Sequence, residues 1–291
     1  MDFLRPSTVD EALALKAEHP DAVPIAGGTD VMVELNFDAR RPPALLDLGR
    51  LAELAEWSRT DGRVRLGAAV PYTRIVTELA ETLPGLAMAA RTVGSPQIRN
   101  RGSVGGNLGS ASPAGDAHPP LLATTADVEV ASVRGTRTIP VREFYQGPKR
   151  SVLEPDELIT AVTVPVRSGP QQFAKVGTRN AMVIAVCSFA VSIDLAARTV
   201  GTGIGSAGPM PLRAPEAERL AAAELPWESR DPLPDEVSRE FGRLVAAAAR
   251  PIDDVRGSAD YRRHALSVLA GRTLGWAWRS VSDGSIHEEG D

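Results

Sequence analysis

Residues 94–115 read GSPQIRNRGSVGGNLGSASPAG, and this stretch carries most of the information in the sequence. It holds six glycines in 22 residues, whereas the 26 glycines of the 291-residue chain predict two for that length. Its charged side chains, Arg99 and Arg101, are both basic, and Asp116 follows directly. Read as a loop, it offers backbone N–H groups that no Cβ shields, short hydroxyls and positive charge. These features favour an anion or nucleotide site over a plain surface loop, with Asp116 placed to accept hydrogen bonds from ligand hydroxyls.

A second glycine turn lies near the N-terminus. Residues 22–26 predict a short apolar strand that runs directly into Gly27 and Gly28, followed by Thr29 and Asp30. Two such turns could hold a diphosphate from both sides. The chain contains no G-x-x-x-x-G-K-[ST] motif, so a nucleoside triphosphatase is disfavoured.

Residues 203–208, GIGSAG, match the dinucleotide-binding pattern G-x-G-x-x-G in the wrong context. That pattern needs a helix that begins within it and faces the pyrophosphate with its N-terminus. Here prolines follow, and the next amphipathic helix is predicted only from about Pro215. We therefore interpret the stretch as a glycine-rich strand end.

Composition limits the possible functions. The net charge of −5 argues against nucleic acid as the main partner. The single cysteine, Cys187, cannot form an internal disulfide, a cysteine-based zinc site or a cysteine-ligated iron–sulfur cluster. Redox chemistry would therefore need a bound organic cofactor or another chain. The sequence also predicts no secretory signal and no membrane span, so a cytoplasmic location is expected.

The pattern along the chain predicts two domains. The first begins as a small α/β unit and continues as short strands with helical inserts near residues 71–91, which favours an antiparallel sheet. The second combines strands with helices predicted at residues 235–250 and 259–279. The predicted units are residues 1–55 and 56–168 of the first domain, 172–281 of the second, and a loose tail at 282–291.

Four motifs resemble the FAD-binding subunit of the molybdenum hydroxylases, the medium subunit of bacterial xanthine dehydrogenase and carbon monoxide dehydrogenase. They are AGGTD at residues 26–30, QIRNRGSVGGN at 97–107, ASP at 111–113 with Asp116-x-x-Pro119, and DVRGSADYRRH at 254–264. The resemblance implies an α+β protein: a vanillyl-alcohol-oxidase-type (PCMH-type) FAD-binding domain followed by a C-terminal α+β domain.

The resemblance also implies which residues hold FAD. Asp116 binds the cofactor, Ile159 contacts its ring system, and Lys175 of the second domain reaches the flavin. Val93 stands where mammalian xanthine oxidoreductases carry a phenylalanine. No catalytic or metal-binding residue is implied. The residues that wrap the diphosphate are Ile25, Ala26, Gly27, Gly28, Thr29, Asp30 and Val31 on one side and Ser103, Val104, Gly105, Gly106 and Asn107 on the other.

In function, the resemblance implies an electron-transfer subunit of a hetero-oligomer. A large subunit with molybdopterin-bound molybdenum would hydroxylate the substrate, and [2Fe-2S] clusters of a small subunit would carry the electrons. FAD on this chain would pass them to NAD+ or another acceptor. Thr29-Asp30 replaces the His-Ser of carbon monoxide dehydrogenases, which favours the xanthine dehydrogenase type. Two alternatives stay open: a self-sufficient FAD-dependent reductase or oxidase on the same fold, and a cofactor-free scaffold subunit.

Other side chains have simpler interpretations. His118 is interpreted as a loop histidine that faces solvent, and Cys187 as a small core residue in a buried strand. The last predicted helix begins with Tyr261, Arg262 and Arg263. The sequence supports two interpretations of these residues equally: an interface with a partner chain and a solvated helix start.

Overall fold

The N-terminal part of the chain alternates strands with helices and forms a small parallel sheet. The computed structural model describes residues 1–284. The sheet has the order β1-β3-β2, so its central strand is the last to be added along the chain. Its strands and helices are β1 (Asp2–Leu4), α1 (Val9–Glu18), β2 (Val23–Ile25), α2 (Val31–Asn36) and β3 (Ala44–Asp47).

The next part is built on a five-stranded sheet with the order β4-β5-β10-β6-β7, in which every neighbouring pair is antiparallel. The antiparallel sheet predicted from the sequence is therefore confirmed. The central strand β10 is buried along most of its length, because helices inserted between β5 and β6 pack against the sheet. The strands are β4 (Trp57–Thr60), β5 (Arg63–Gly67), β6 (Asp127–Ser132), β7 (Gly135–Pro140) and β10 (Leu158–Pro165), with a hairpin of β8 (Tyr145–Gly147) and β9 (Arg150–Ser151).

Five helices lie between β5 and β6, and two of them fall inside the glycine-rich stretch. They are α3 (Tyr72–Glu78), α4 (Pro84–Thr92), α5 (Pro96–Arg99), α6 (Val104–Ser110) and α7 (His118–Ala123). The prediction that residues 94–115 form a loop is therefore wrong over much of its length. Ser103 caps α6 by accepting a hydrogen bond from the Gly106 N–H at 3.1 Å, which lets a helix form despite its glycines.

The C-terminal part is a three-stranded antiparallel meander covered by three helices. Apolar side chains of the sheet, such as Phe189, pack against Phe241 and Trp278 of the helices to form a second large core. The α+β class predicted for this part is confirmed. Its elements are β11 (Gln171–Val176), β12 (Cys187–Asp194), β13 (Thr199–Gly205), α8 (Pro215–Glu224), α9 (Asp235–Ala248) and α10 (Ala259–Ser282).

The last helix reaches Ser282, so the predicted loose tail is wrong at its first residue, and residues 285–291 lie outside the described residues. None of the helices in the described part of the chain is long and apolar enough to cross a membrane.

The motif GIGSAG lies at the end of β13, as interpreted from the sequence. A Cβ on Gly203 would overlap the carbonyl oxygen of Pro119, and a Cβ on Gly201 would overlap that of Ala123. Both carbonyls belong to α7, so the glycines allow α7 to sit directly on β13. The motif therefore joins the C-terminal sheet to the N-terminal part of the chain.

Candidate cofactor site

The two glycine-rich elements meet in space. Gly27 lies against the backbone of Arg101, since a Cβ on Gly27 would overlap the Arg101 carbonyl and come within 3.0 Å of the Gly102 nitrogen. Gly28 has a φ of +75°, in the left-handed region that favours glycine. The structure thus brings together two turns that lie about 75 residues apart in the sequence.

The N-terminal turn offers free backbone donors. Among the hydrogen bonds of residues 1–284, none has the N–H of Gly27, Gly28 or Thr29 as its donor. Residues 25–29 and 31 are half-buried, whereas Asp30 is exposed. Consecutive N–H groups in such a turn can bind an anion.

The first turn of α6 differs from the sequence prediction, because its backbone N–H groups already donate hydrogen bonds within the protein. The N–H of Gly105 donates to the Ala68 carbonyl at 3.2 Å, that of Gly106 to the Ser103 hydroxyl, and that of Asn107 to the Ser103 carbonyl at 3.0 Å. The expectation of free donors at these three residues is wrong, since the Ser103 cap satisfies Gly106 and Asn107 and the chain after β5 satisfies Gly105.

The two adjacent glycines of α6 serve different purposes. A Cβ on Gly105 would lie 2.5 Å from the Cβ and carbonyl oxygen of Ala68, so glycine is needed for the helix to pack against the chain after β5. A Cβ on Gly106 would meet a single atom of the described chain within 4 Å, the Ser103 hydroxyl oxygen at 3.3 Å. Gly106 is exposed and leaves an open face on the first turn of α6.

Asn107 and Ile159 connect this helix to its surroundings. The Asn107 side-chain oxygen accepts a hydrogen bond from the Ala117 N–H at 3.4 Å, which ties α6 to the segment that carries Asp116. Ile159 of β10 lies under α6, with its Cδ1 at 3.8 Å from the Cβ position of Gly109.

Val93 follows the last residue of α4, and its carbonyl accepts a hydrogen bond from Arg99 Nη1 at 3.0 Å.

Asp116 and Lys175 form a buried ion pair between the two parts of the chain. Lys175 Nζ of β11 lies 2.6 Å from Asp116 Oδ2, and each side chain is 10% exposed. Thr92 also donates to Oδ2, at 3.3 Å. Asp116 Oδ1 is buried and makes no hydrogen bond within residues 1–284. Burial raises the pKa of the Asp116 carboxyl, while Lys175 and Thr92 act to lower that pKa.

Sequence reasoning missed Tyr72 and Thr92 because neither belongs to a recognisable motif. Tyr72 is buried, and its N–H donates to the Gly102 carbonyl at 2.9 Å. In the part of the chain that the structure covers, the Tyr72 hydroxyl has no hydrogen-bond partner. Burial raises its pKa well above the ordinary value, with a smaller contribution from the charge of Asp116.

The interpretation of His118 as a solvent-facing histidine is wrong. His118 is fully buried at the start of α7, and its Nδ1 lies 2.7 Å from the Tyr145 hydroxyl oxygen. Burial lowers the pKa of His118 to about 3, against a smaller raising effect of the Ser112 backbone. The imidazole is therefore neutral near pH 7. His118 and the two prolines after it are buried in α7, which a lone histidine in a glycine-rich neighbourhood does not reveal.

The remaining side chains singled out in the sequence are Arg262, Tyr261 and Cys187, and two of them are buried. Arg262 is 3% exposed and donates to the Ser206 carbonyl at 2.6 Å and to Asp254 at 2.5 Å, so it is not available to a partner. Tyr261 beside it is 49% exposed. Cys187 is a buried core residue, as predicted, and burial raises its pKa to about 12. Across residues 1–284, no group of three or more His, Cys, Asp or Glu side chains could hold a metal ion.

This arrangement fits a long, polar, diphosphate-containing group such as FAD. Free N–H groups at Gly27–Thr29 and the open face at Gly106 leave room for a diphosphate to approach the backbone closely. The buried, unpartnered Asp116 Oδ1 is an acceptor that a ligand donor would satisfy.

Two family models together match most of the chain. Residues 1–167 match the FAD binding domain in molybdopterin dehydrogenase, and residues 172–277 match the CO dehydrogenase flavoprotein C-terminal domain.

Individual proteins agree with these matches. The chain is 30% identical over 282 residues to the putative xanthine dehydrogenase FAD-binding subunit XdhB of Escherichia coli K12, covering 94% of each protein. It is 33% identical over 280 residues to the nicotine 6-hydroxylase medium subunit of Paenarthrobacter nicotinovorans, covering 94% of this chain and 95% of that one. A chain of the carbon monoxide dehydrogenase structure from Hydrogenophaga pseudoflava superposes with a TM-score of 0.88 at 26% identity, covering 96% of this chain and 97% of the other. The chain therefore belongs to the family of FAD-binding medium subunits of the molybdenum hydroxylases, and it is an FAD-dependent oxidoreductase subunit.

Proposed function

We propose that this subunit receives electrons from iron–sulfur clusters on a partner chain and passes them through FAD to NAD+ or another acceptor, in a complex of the xanthine dehydrogenase type. The observation that carries the proposal is the meeting of Gly27 with Arg101, which brings the free N–H groups of the N-terminal turn to the segment that leads into α6 and its open Gly106. A cytoplasmic location stays a prediction.

The proposed site uses the residues predicted from the sequence. The turn after β2 supplies N–H donors to the diphosphate, Gly106 supplies space, and Asp116 supplies an acceptor. Ile159 provides an apolar surface under α6. We also propose a domain boundary between residues 168 and 172, which the ranges of the two family models support. The proposed FAD-binding residues are Ile25, Ala26, Gly27, Gly28, Thr29, Asp30, Val31, Val93, Ser103, Val104, Gly105, Gly106, Asn107, Asp116, Ile159 and Lys175.

When bound, FAD accepts and releases electrons, and the protein binds, orients and electrostatically tunes its ring system. His118 is not a proton donor in this scheme, because burial keeps it neutral near pH 7. His118 therefore supplies no acid–base catalysis in the proposed site. This agrees with a role in electron transfer and not with independent turnover of an organic substrate.

In the proposed function the electrons come from another chain. Cys187 is the single cysteine of the sequence and is buried in the core, so this chain cannot ligate an iron–sulfur cluster through cysteines. The nicotine 6-hydroxylase relative is named as a medium subunit, and the carbon monoxide dehydrogenase of known structure is described as lacking the Mo-pyranopterin moiety of its molybdenum cofactor. We therefore expect a large molybdopterin-bearing subunit and a small [2Fe-2S] subunit.

Purification of the tagged chain from its own organism tests the partners. The expected preparation contains two further subunits, with molybdenum and iron present in addition to FAD. A flavin-containing chain that purifies alone and turns over an organic substrate would support the self-sufficient reductase or oxidase instead.

The acceptor is tested separately by adding NADH to the FAD-loaded preparation without oxygen. If NAD+ is the acceptor, NADH bleaches the visible absorbance of the flavin by the reverse reaction. An unchanged flavin spectrum, together with bleaching by a chemical reductant, would show that the acceptor is a different molecule.

A further inference from the structure

We infer that Tyr72 of α3 is a further cofactor-binding residue, whose hydroxyl donates a hydrogen bond to an oxygen of bound FAD. Tyr72 lies outside all four of the sequence motifs, so neither its spacing nor the family resemblance points to it. The inference rests on the proposed function, and it adds a side-chain donor to the backbone donors of the N-terminal turn.

Tyr72 packs at the point where the two glycine-rich elements meet. Its N–H donates to the Gly102 carbonyl at 2.9 Å, and its Cδ2 lies 3.5 Å from the Cβ position of Gly102. The N-terminal turn approaches the same residue: Thr29 Oγ1 lies 3.4 Å from that Cβ position, and the Cβ position of Gly27 lies 3.0 Å from the Gly102 nitrogen. The ring of Tyr72 and the turn that we propose binds the diphosphate therefore pack on one residue.

The backbone on both sides of Tyr72 fixes the position of its ring. Pro71 forms an isolated antiparallel bridge with Ser103, and Tyr72 is the first residue of α3. The side chain is 2% exposed and belongs to the core under the five-stranded sheet. A ring that is already buried and held in this way loses little further freedom when a ligand binds, so the ordering cost of a hydrogen bond from its hydroxyl is small.

The hydroxyl of Tyr72 is a buried donor without an acceptor. Within residues 1–284 it has no hydrogen-bond partner, although the hydroxyl of a buried tyrosine normally has one. Asp116 Oδ1 also lacks a partner there, so these two atoms do not bond to each other. A buried polar group that is left unpaired costs free energy, and an acceptor oxygen of a ligand would remove that cost.

The surroundings of Tyr72 keep its hydroxyl protonated. Burial raises its pKa well above the ordinary value, and the charges of Asp116 and Asp30 raise the pKa further. Asp30 ends the N-terminal turn and Asp116 precedes α7, so the hydroxyl is within electrostatic reach of both elements of the proposed site. A neutral phenol at this position can donate to an oxygen of the diphosphate or of the adjoining ribityl chain.

Tyr72→Phe tests the inference, because it removes the hydroxyl and keeps the ring. The complex isolated through this chain is stripped of FAD and titrated with FAD, for the wild type and the variant. We expect Tyr72→Phe to weaken FAD binding roughly three- to thirty-fold, the range between a neutral and a charged acceptor. An affinity within about two-fold of the wild type would overturn the inference.

Denaturant unfolding of the FAD-free chain separates cofactor binding from a structural role. Since the Tyr72 hydroxyl has no partner in the described residues, Tyr72→Phe should leave the denaturation midpoint unchanged or raise it. A lower midpoint together with weaker FAD binding would show that the hydroxyl supports the fold and not the cofactor, which would also overturn the inference.

Tyr145→Phe is the matched control, because Tyr145 is a second buried tyrosine whose hydroxyl has a partner in the protein, His118 Nδ1 at 2.7 Å. This variant should lower the denaturation midpoint and leave FAD affinity within about two-fold of the wild type. An equal loss of affinity in both variants would reduce Tyr72 to a packing residue and overturn the inference. Failure of the wild type to bind FAD would contradict the proposed function as well, whereas wild-type affinity in Tyr72→Phe contradicts this inference alone.

Discussion

At the scale of single residues, neighbouring glycines have different reasons to be glycine. Gly27 and Gly105 are needed because another backbone segment or Ala68 occupies the Cβ position, whereas Gly106 is open. In the proposed site, only the open position leaves space for the cofactor. In the sequence these glycines look alike, because the atoms that oppose them belong to residues far away along the chain.

Gly27→Ala is therefore expected to destabilise the protein itself. The new methyl group would force the N-terminal turn away from Arg101, and overpacking of this kind costs about 1–3 kcal/mol. Denaturant unfolding of the FAD-free chain measures the loss. Gly109→Ala is the control, because its Cβ would make an ordinary contact of 3.8 Å with Ile159. Equal stability of the two variants would show that Gly27 does not seat the turn on Arg101.

Because His118 is buried in its neutral form, we expect the stability of the protein to depend on pH. Its pKa is about 3 in the folded chain against 6.5 for the free side chain, so the unfolded state binds the proton more tightly. The contribution of His118 to the free energy of unfolding is full above pH 6.5. As the pH is lowered below that value, this contribution decreases by up to about 1.4 kcal/mol per pH unit. At pH 5 the loss is roughly 2 kcal/mol.

The measurement compares the free energy of unfolding of the wild type and His118→Gln between pH 5 and 7.5. Since the substitution also removes a buried partner of Tyr145, the slopes are compared and not the absolute values. The wild type should lose stability more steeply on acidification. Parallel curves would mean that His118 is not buried in its neutral form.

At the scale of elements, the sequence predicted the sheets better than the glycine-rich stretch. The short strands that follow the first α/β unit indicate an antiparallel sheet, because strand patterns are a local property of the sequence, and β5, β6 and β10 form that sheet. The loop predicted at 94–115 is wrong because the cap from Ser103 and the packing against Ala68 override the low helix propensity of glycine. The prediction for His118 is wrong for a similar reason, since its burial depends on Tyr145 and on the packing of α7.

The close packing of α7 on the motif GIGSAG leads to a prediction for a substitution at Gly203. Gly203→Ala should lower the free energy of unfolding by about 1–3 kcal/mol, because the methyl group would push α7 off β13. Gly275→Ala in α10 is the control: apart from the neighbouring residues and backbone of its own helix, no atom of residues 1–284 lies within 4 Å of its Cβ position, and a helical Gly→Ala change stabilises by about 0.5–1 kcal/mol. A neutral Gly203→Ala would show that the motif has no role in joining the two parts.

At the scale of the whole molecule, the chain is an FAD-binding subunit, and the proposed function makes it depend on partner subunits for electrons. The four sequence motifs identified the family and most of the proposed site, because they contain the residues at the two turns. They gave no information on Tyr72 or Thr92, or on the engagement of Lys175 with three protein acceptors, since these depend on contacts between distant segments.

The decisive measurement is the FAD content per copy of this chain in the complex isolated through it, for the wild type, Gly106→Leu and Gly275→Leu. The leucine at 106 would fill the open face of α6, whereas that at 275 lies on a distant helix. We expect one FAD per chain in the wild type and in Gly275→Leu, and almost none in Gly106→Leu, with unchanged subunit composition, molybdenum and iron. Full FAD content in Gly106→Leu, or a wild-type complex without FAD, would contradict the proposed site.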